Sequence, residues 1–133
     1  MNNDVDAVLA AFEALDRATE NSGDADAIMR LFADDAQVTF WGSAEPEEAV
    51  GPMSLRALAE AIVHAPGSFV VRWHERRASV EGDVAWVTAS GTAAWDPGTG
   101  NVRILPYRAT AVAVRRDGAW LWHTFNGSEP TSG

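Results

Sequence analysis

The sequence predicts an α+β fold in which three N-terminal helices cover one face of a strongly bent antiparallel sheet, in the order α-α-β-α-β-β-β-β. Two observations predict it. Apolar residues recur at helical spacing as far as His64, and from Ser68 onward the period becomes two. Helices first and strands later is the order of a helix layer laid on a sheet. The four β-rich runs of the second half are joined by turn sequences, so they read as a meander. Each is about 12 residues, long for an open sheet, which implies coiling or bending.

Taken in order, Asn3 or Asp4 can cap a first helix carrying Val5, Val8, Leu9, Phe12 and Leu15 on one stripe, stopped by Asn21-Ser22-Gly23. Asp24 can cap a second, short helix with Ile28, Leu31 and Phe32. Gln37–Trp41 alternates as a short strand, and Gly42–Pro52 reads as a polar loop. Ser54 is the expected cap of a third helix, with Leu55, Leu58, Ala59, Ile62 and Val63 on its apolar stripe, ending at His64-Ala65-Pro66-Gly67. The strands follow at Phe69–Val80, Val84–Trp95, Val102–Val114 and Ala119–Gly127, with turns at Glu81-Gly82-Asp83 and Asp96–Gly100. Pro106 cannot donate to a ladder, which places it at a bulge, a strand start or an edge. The tail Ser128–Gly133 is expected to fray. The whole chain, 1–133, reads as one domain, long enough to bury a core.

Composition narrows the function. All ten basic residues are Arg and the net charge is −9, a balance that repels phosphate backbones and argues against nucleic acid. The absence of Cys removes disulfides, thiolate metal sites and a Cys nucleophile. No apolar run approaches the roughly 20 residues of a membrane span. The acidic, amphipathic N-terminus is no secretory signal, so a cytoplasmic location is expected.

The last hairpin, ATAVAVRR and AWLWHTF around Asp117-Gly118, is the most informative segment, because its turn decides which side chains share a face. With Gly118 in a bulge, Val114 meets Trp120, Val112 meets Trp122, Thr110 meets Thr124 and Arg108 meets Asn126. That face grades from aromatic to polar and suits a pocket wall. A strict two-residue turn slips the register by one and scatters the polar set.

Three stretches, Asp26–Val38 (DAIMRLFADDAQV), Val80–Val87 (VEGDVAWV) and Val112–Pro130 (VAVRRDGAWLWHTFNGSEP), resemble the SnoaL-like branch of the nuclear-transport-factor-2-like superfamily. The resemblance spans essentially the whole chain. It implies a cone-shaped α+β barrel with an interior cavity, a ketosteroid isomerase- or polyketide cyclase-like fold, often dimeric through the outer sheet face. It specifies fold better than chemistry. The position matching the general-base Asp of ketosteroid isomerase is Phe40, which cannot move a proton. Many relatives end in a strand W-x-x-x-H-x-H-x-S; here Trp120 and Ser128 fit, but Thr124 and Asn126 stand at the two His positions.

The candidate ligand-binding residues are therefore Arg108, Thr110, Thr124 and Asn126, with Trp86, Trp122 and Trp41 as apolar walls. Thr88, Ser90 and Thr92 either extend the polar wall or are ordinary half-buried strand residues. The small residues Ala85, Val87, Ala89, Gly91 and Ala93, with Ala109, Ala111 and Ala113, let a second layer approach, either the helices or another subunit. His74 and His123 are weak acid–base candidates without an identifiable partner, and no metal set or cofactor motif is seen. Asp34-Asp35, Arg76-Arg77 and Arg115-Arg116 read as solvated turn charges. The leading expectation is a homodimeric protein binding a small apolar or ring-bearing ligand in an interior pocket. The alternatives are an isomerase, cyclase or hydrolase, with Arg108 stabilising an anion and His74 or His123 as base, and a pure association module.

Overall fold

The computed structural model of the chain describes residues 3–21 and 23–132. Helix α1 (Asn3–Asn21) buries Val8, Phe12, Leu15 and Ala18 along one stripe, as the periodicity predicts. Its start coincides with the first described residue, and Ser22 of the expected stop and the terminal Gly133 lie outside the described residues. Helix α2 (Ala25–Met29) is capped by Asp24, whose carboxylate accepts the Asp26 N–H at 2.9 Å.

The short strand β1 (Thr39–Trp41) is followed by a strand the sequence reading missed, β2 (Glu48–Val50), inside the expected loop. A three-residue strand is too short for alternation to show in a polar stretch. Helix α3 (Pro52–His64) starts two residues before the expected Ser54 cap, with Gly51 as cap residue and Pro52 in its first turn. His64 closes it by sharing a hydrogen bond with the Glu60 carbonyl at 2.8 Å.

Four long strands complete the chain: β3 (Ser68–Glu81), β4 (Val84–Asp96), β5 (Arg103–Arg116) and β6 (Ala119–Ser128). The sheet order is β2-β1-β6-β5-β4-β3. All neighbours are antiparallel except β1 and β6, so the sheet is mixed and open rather than wholly antiparallel. Pro106 pairs with Thr92, beyond the point opposite Arg108 where β6 ends, so it occupies a locally free edge of β5.

The alternation of β4 and β5 sorts the sheet into two faces. Ala85, Val87, Ala89, Ala93, Ala109, Ala111 and Ala113 are buried inward, and the layer their small size admits is the helix layer. Phe12 of α1 seats among Trp73, Trp122 and Phe125, with ring centroids 5.4, 5.8 and 6.5 Å away.

The last hairpin does not take the bulged turn. Arg116 pairs with Ala119 around Asp117-Gly118, both with positive φ (52° and 81°), the primed turn that matches strand twist. Trp122 therefore faces Ala113, on the buried side. The ladder then skips His123, so Thr124 pairs with Val112 and Asn126 with Thr110. The surplus residue restores the parity that the strict turn removed. Arg108, Thr110, Thr124 and Asn126 do share one face, each opposite a different partner from the one expected. That face is the outer one, and the expected gradient from tryptophan to polar residues is absent.

Charges expected to be merely solvated instead tie elements together. Arg115 bonds Asp4 of α1 (2.9 Å) and Asp83 of the β3–β4 turn (3.0 Å), with its guanidinium 4.9 Å from the Trp120 ring centre. Arg116 makes a two-pronged pair with Asp35 at 2.6 and 2.7 Å.

Candidate functional site

Between the C-terminal half of α1, the end of α3, the β1–β2 hairpin and the concave side of β3 and β5 lies a cavity of about 630 Å³. That is the size of a small-molecule site. None of the predicted ligand residues lines it. Arg108, Thr110 and Asn126 are exposed on the outer face, Trp86 and Trp41 are exposed, and Trp122 is buried in the core, its N–H donating to the Ala11 carbonyl at 3.2 Å. Thr124 is half-buried and shares a 2.8 Å hydrogen bond with His123. His123 lies 3.8 Å from Asp35, and His74 lies on the outer side at a break in the β3 ladder, 3.2 Å from the Thr92 hydroxyl. Both histidines have partners the sequence did not disclose, and both are away from the cavity. Thr88 and Ser90 are likewise exposed on the outside.

Phe40 does reach the cavity wall, stacked on Phe125 with centroids 4.8 Å apart. The position that the resemblance matches to a general base therefore lines the cavity with a side chain that moves no proton. A carboxyl group reaches the cavity from α1. Asp16 follows Leu15 at the edge of the buried stripe of α1, and its side chain turns into the cavity toward β3. The indole N–H of Trp73 donates to Asp16 Oδ2 at 2.8 Å. Burial pushes the Asp16 carboxyl up to about 6; the Trp73 bond and Arg76 oppose the rise, while Glu20 and Glu13 add to it. A carboxyl group so tuned changes charge close to neutral pH, the range required of a general base or acid.

Tyr107 of β5 faces the same space. Burial, with the charges of Glu47, Glu129 and Asp16, raises its phenol to about 12 against the opposing Ser43 hydrogen bond. The hydroxyl therefore keeps its proton and is a donor. Its ring meets Phe69 and Trp73 at centroid distances of 5.3 and 6.1 Å, giving the cavity an aromatic side. Glu20 accepts the Val71 N–H, Glu47 accepts the Ala44 N–H, and Glu129 accepts the Ser43 hydroxyl, so each carboxylate is fixed by a local bond. Among the described residues no group of three or more His, Asp or Glu is placed to hold a metal ion.

Sequence reasoning missed Asp16, Trp73 and Tyr107 as a group. The local signal for Asp16 was its place four residues after Phe12 and beside Leu15, flanking the core stripe rather than opposite it. Nothing local announces Trp73, 57 residues away, as its donor.

Helices packed against a bent sheet with a cavity between them are the fold that solved structures of NTF2-like proteins share with this chain. The chain belongs to the SnoaL-like domain family, whose model matches residues 8–130. Solved structures agree in fold. A candidate dehydratase of the NTF2-like family from Streptomyces avermitilis is 22% identical, with TM-score 0.86 over 98% of this chain and 99% of that one. A ketosteroid isomerase-like protein from Erwinia carotovora atroseptica is 18% identical, with TM-score 0.75 over 99% and 100%. A type 2 hexachlorocyclohexane dehydrochlorinase is 16% identical, with TM-score 0.77 over 95% and 84%. No curated protein sequence matches the chain. No described helix is long and apolar enough to cross a membrane.

Proposed function

We propose that the protein binds a small, partly apolar, ring-bearing molecule in the cavity and moves a proton on it, with Asp16 as base or acid and Tyr107 as hydrogen-bond donor. The observation that carries this reading is a carboxyl group inside the cavity, held by Trp73 and poised at about 6. The fold-level likeness to a ketosteroid isomerase-like protein and a hexachlorocyclohexane dehydrochlorinase agrees with a small-molecule reading. The open cavity speaks against a pure association module.

A generic carbon acid tests the idea without knowledge of the natural substrate. In 5-nitrobenzisoxazole a base takes the C3 proton, the N–O bond breaks, and a coloured cyanophenolate forms, to which a phenol can donate. We expect the protein to accelerate this opening with a rate that rises with pH through about 6. Asp16→Asn should reduce the acceleration by at least about a hundredfold. An equal rate in Asp16→Asn overturns the assignment.

The homodimer belongs to the same proposal, formed through the outer sheet face. Trp86 and Val84 are each 42% exposed there, and Thr88, Thr110, Asn126 and Arg108 continue the surface. Of the predicted ligand residues, Arg108, Thr110, Asn126 and Trp86 fit a subunit contact better.

A further inference from the structure

Resting on the cavity reading above, we infer that the molecule the cavity takes carries a positive charge, as a protonated amine on or beside its ring. Two features of the lining point the same way. Four carboxylates, Asp16, Glu20, Glu47 and Glu129, border it, against Arg103 as the guanidinium among the described lining residues. Arg103 is exposed and sets its charge against Trp95, 5.7 Å from that ring's centre. Trp73, Tyr107 and Phe69 line the same cavity, and aromatic rings accompanied by acids attract ammonium groups.

The carboxylates act on the interior rather than only on solvent. Burial is the main cause that raises the Tyr107 phenol, and the charges of Glu47, Glu129 and Asp16 add to it in the same direction. The hydrogen bonds that fix Glu20, Glu47 and Glu129 keep that potential in place before a ligand arrives. A carboxylate ligand would meet repulsion from these groups, and a net charge of −9 disfavours its approach. An ammonium would offset its lost hydration against several acids and the rings together.

Three probes of like size and different charge decide the matter: 2-phenylethylamine, 2-phenylethanol and 3-phenylpropionate. Each is titrated into the full chain at pH 7.5, following the Trp73 indole N–H by ¹H–¹⁵N NMR. We expect the amine to bind at least about tenfold more tightly than the alcohol and the carboxylate most weakly of all, with the amine's advantage shrinking as salt is added. In the double variant Glu20→Gln, Glu47→Gln the ratio of amine to alcohol affinity should fall toward one. If the alcohol or the carboxylate binds as tightly as the amine, the charge inference is overturned and the cavity reading survives. If no probe moves the Trp73 signal, the cavity reading itself fails and the inference goes with it.

Discussion

At the scale of single residues, Asp16 concentrates both the chemistry and a cost. Its folded pKa of about 6 lies above the ordinary value of 3.8, so the folded protein holds this proton more tightly than the unfolded chain does. Stability from this group is therefore full below about pH 4 and is lost as pH rises through about 6. Asp16→Asn removes the penalty while keeping an oxygen for the Trp73 N–H. It should stabilise the protein at pH 7.5 by about 1–2 kcal/mol, after discounting for the solvent that still reaches the group, and by nothing measurable at pH 4. Parallel urea titrations at the two pH values check this. A gain of equal size at both would show that the effect is not electrostatic. Trp73→Phe keeps an aromatic wall and deletes the donor, so the Asp16 carboxyl should titrate above its present value, read from its ¹³C shift against pH; a fall would contradict the bond's role. Asp16 was illegible because a helix shows which face is buried but not which neighbour waits at its edge. Glu13, Asp16 and Glu20 look alike in sequence, and only the position of Trp73 and the closing sheet single out Asp16.

At the scale of elements, irregularities on two strands govern what each face presents. His74 and His123 sit where the ladders of β3 and β6 lose register. Apolar alternation located the four long strands to within a residue or two, because their inward residues are nearly all Ala, Val or aromatic. It could not locate the surplus residues, whose side chains look like any others. The turn at Asp117-Gly118 was legible as a turn, while its type decided the pairing and the break at His123 then reversed the outcome for Thr124 and Asn126. Gly91 marks the other break: a methyl group there would overlap the Arg72 carbonyl oxygen and press on the Trp73 backbone. Gly91→Ala should therefore cost about 2–4 kcal/mol in urea unfolding. Because Trp73 holds Asp16, it should also shift the Asp16 titration. Unchanged stability and titration would mean that β3 accommodates the methyl without moving Trp73.

At the scale of the whole molecule, the sheet has two sides to which the proposal gives separate tasks, and the sequence signalled each side more clearly than its use. The inner set of alanines and the outer set of hydroxyl residues were both visible as alternation. Which side enclosed the ligand was not, since either pattern suits a pocket wall or a contact between subunits. With the cavity lined from α1 and the inner face, the proposed dimer uses the outer face. Thr110 stands near the middle of it, between Thr88 on β4 and Asn126 on β6. Its side chain is exposed, so Thr110→Arg alters no inward packing. In a two-fold contact across this face the variant would bring two added guanidinium groups into the interface, a burial of unpaired charge that typically costs a few kcal/mol. Sedimentation should show a dimer for the native chain at micromolar concentration and a dissociation constant at least about tenfold weaker for Thr110→Arg. The native melting temperature should rise with protein concentration and that of the variant should begin to rise only at correspondingly higher concentration, as mass action requires when only the folded dimer gains from association. A native monomer, or a variant dimer as tight as the native one, would remove the outer face from consideration. The proposed proton-transfer site would be untouched by that outcome, because Asp16, Trp73 and Tyr107 all line a cavity within one chain.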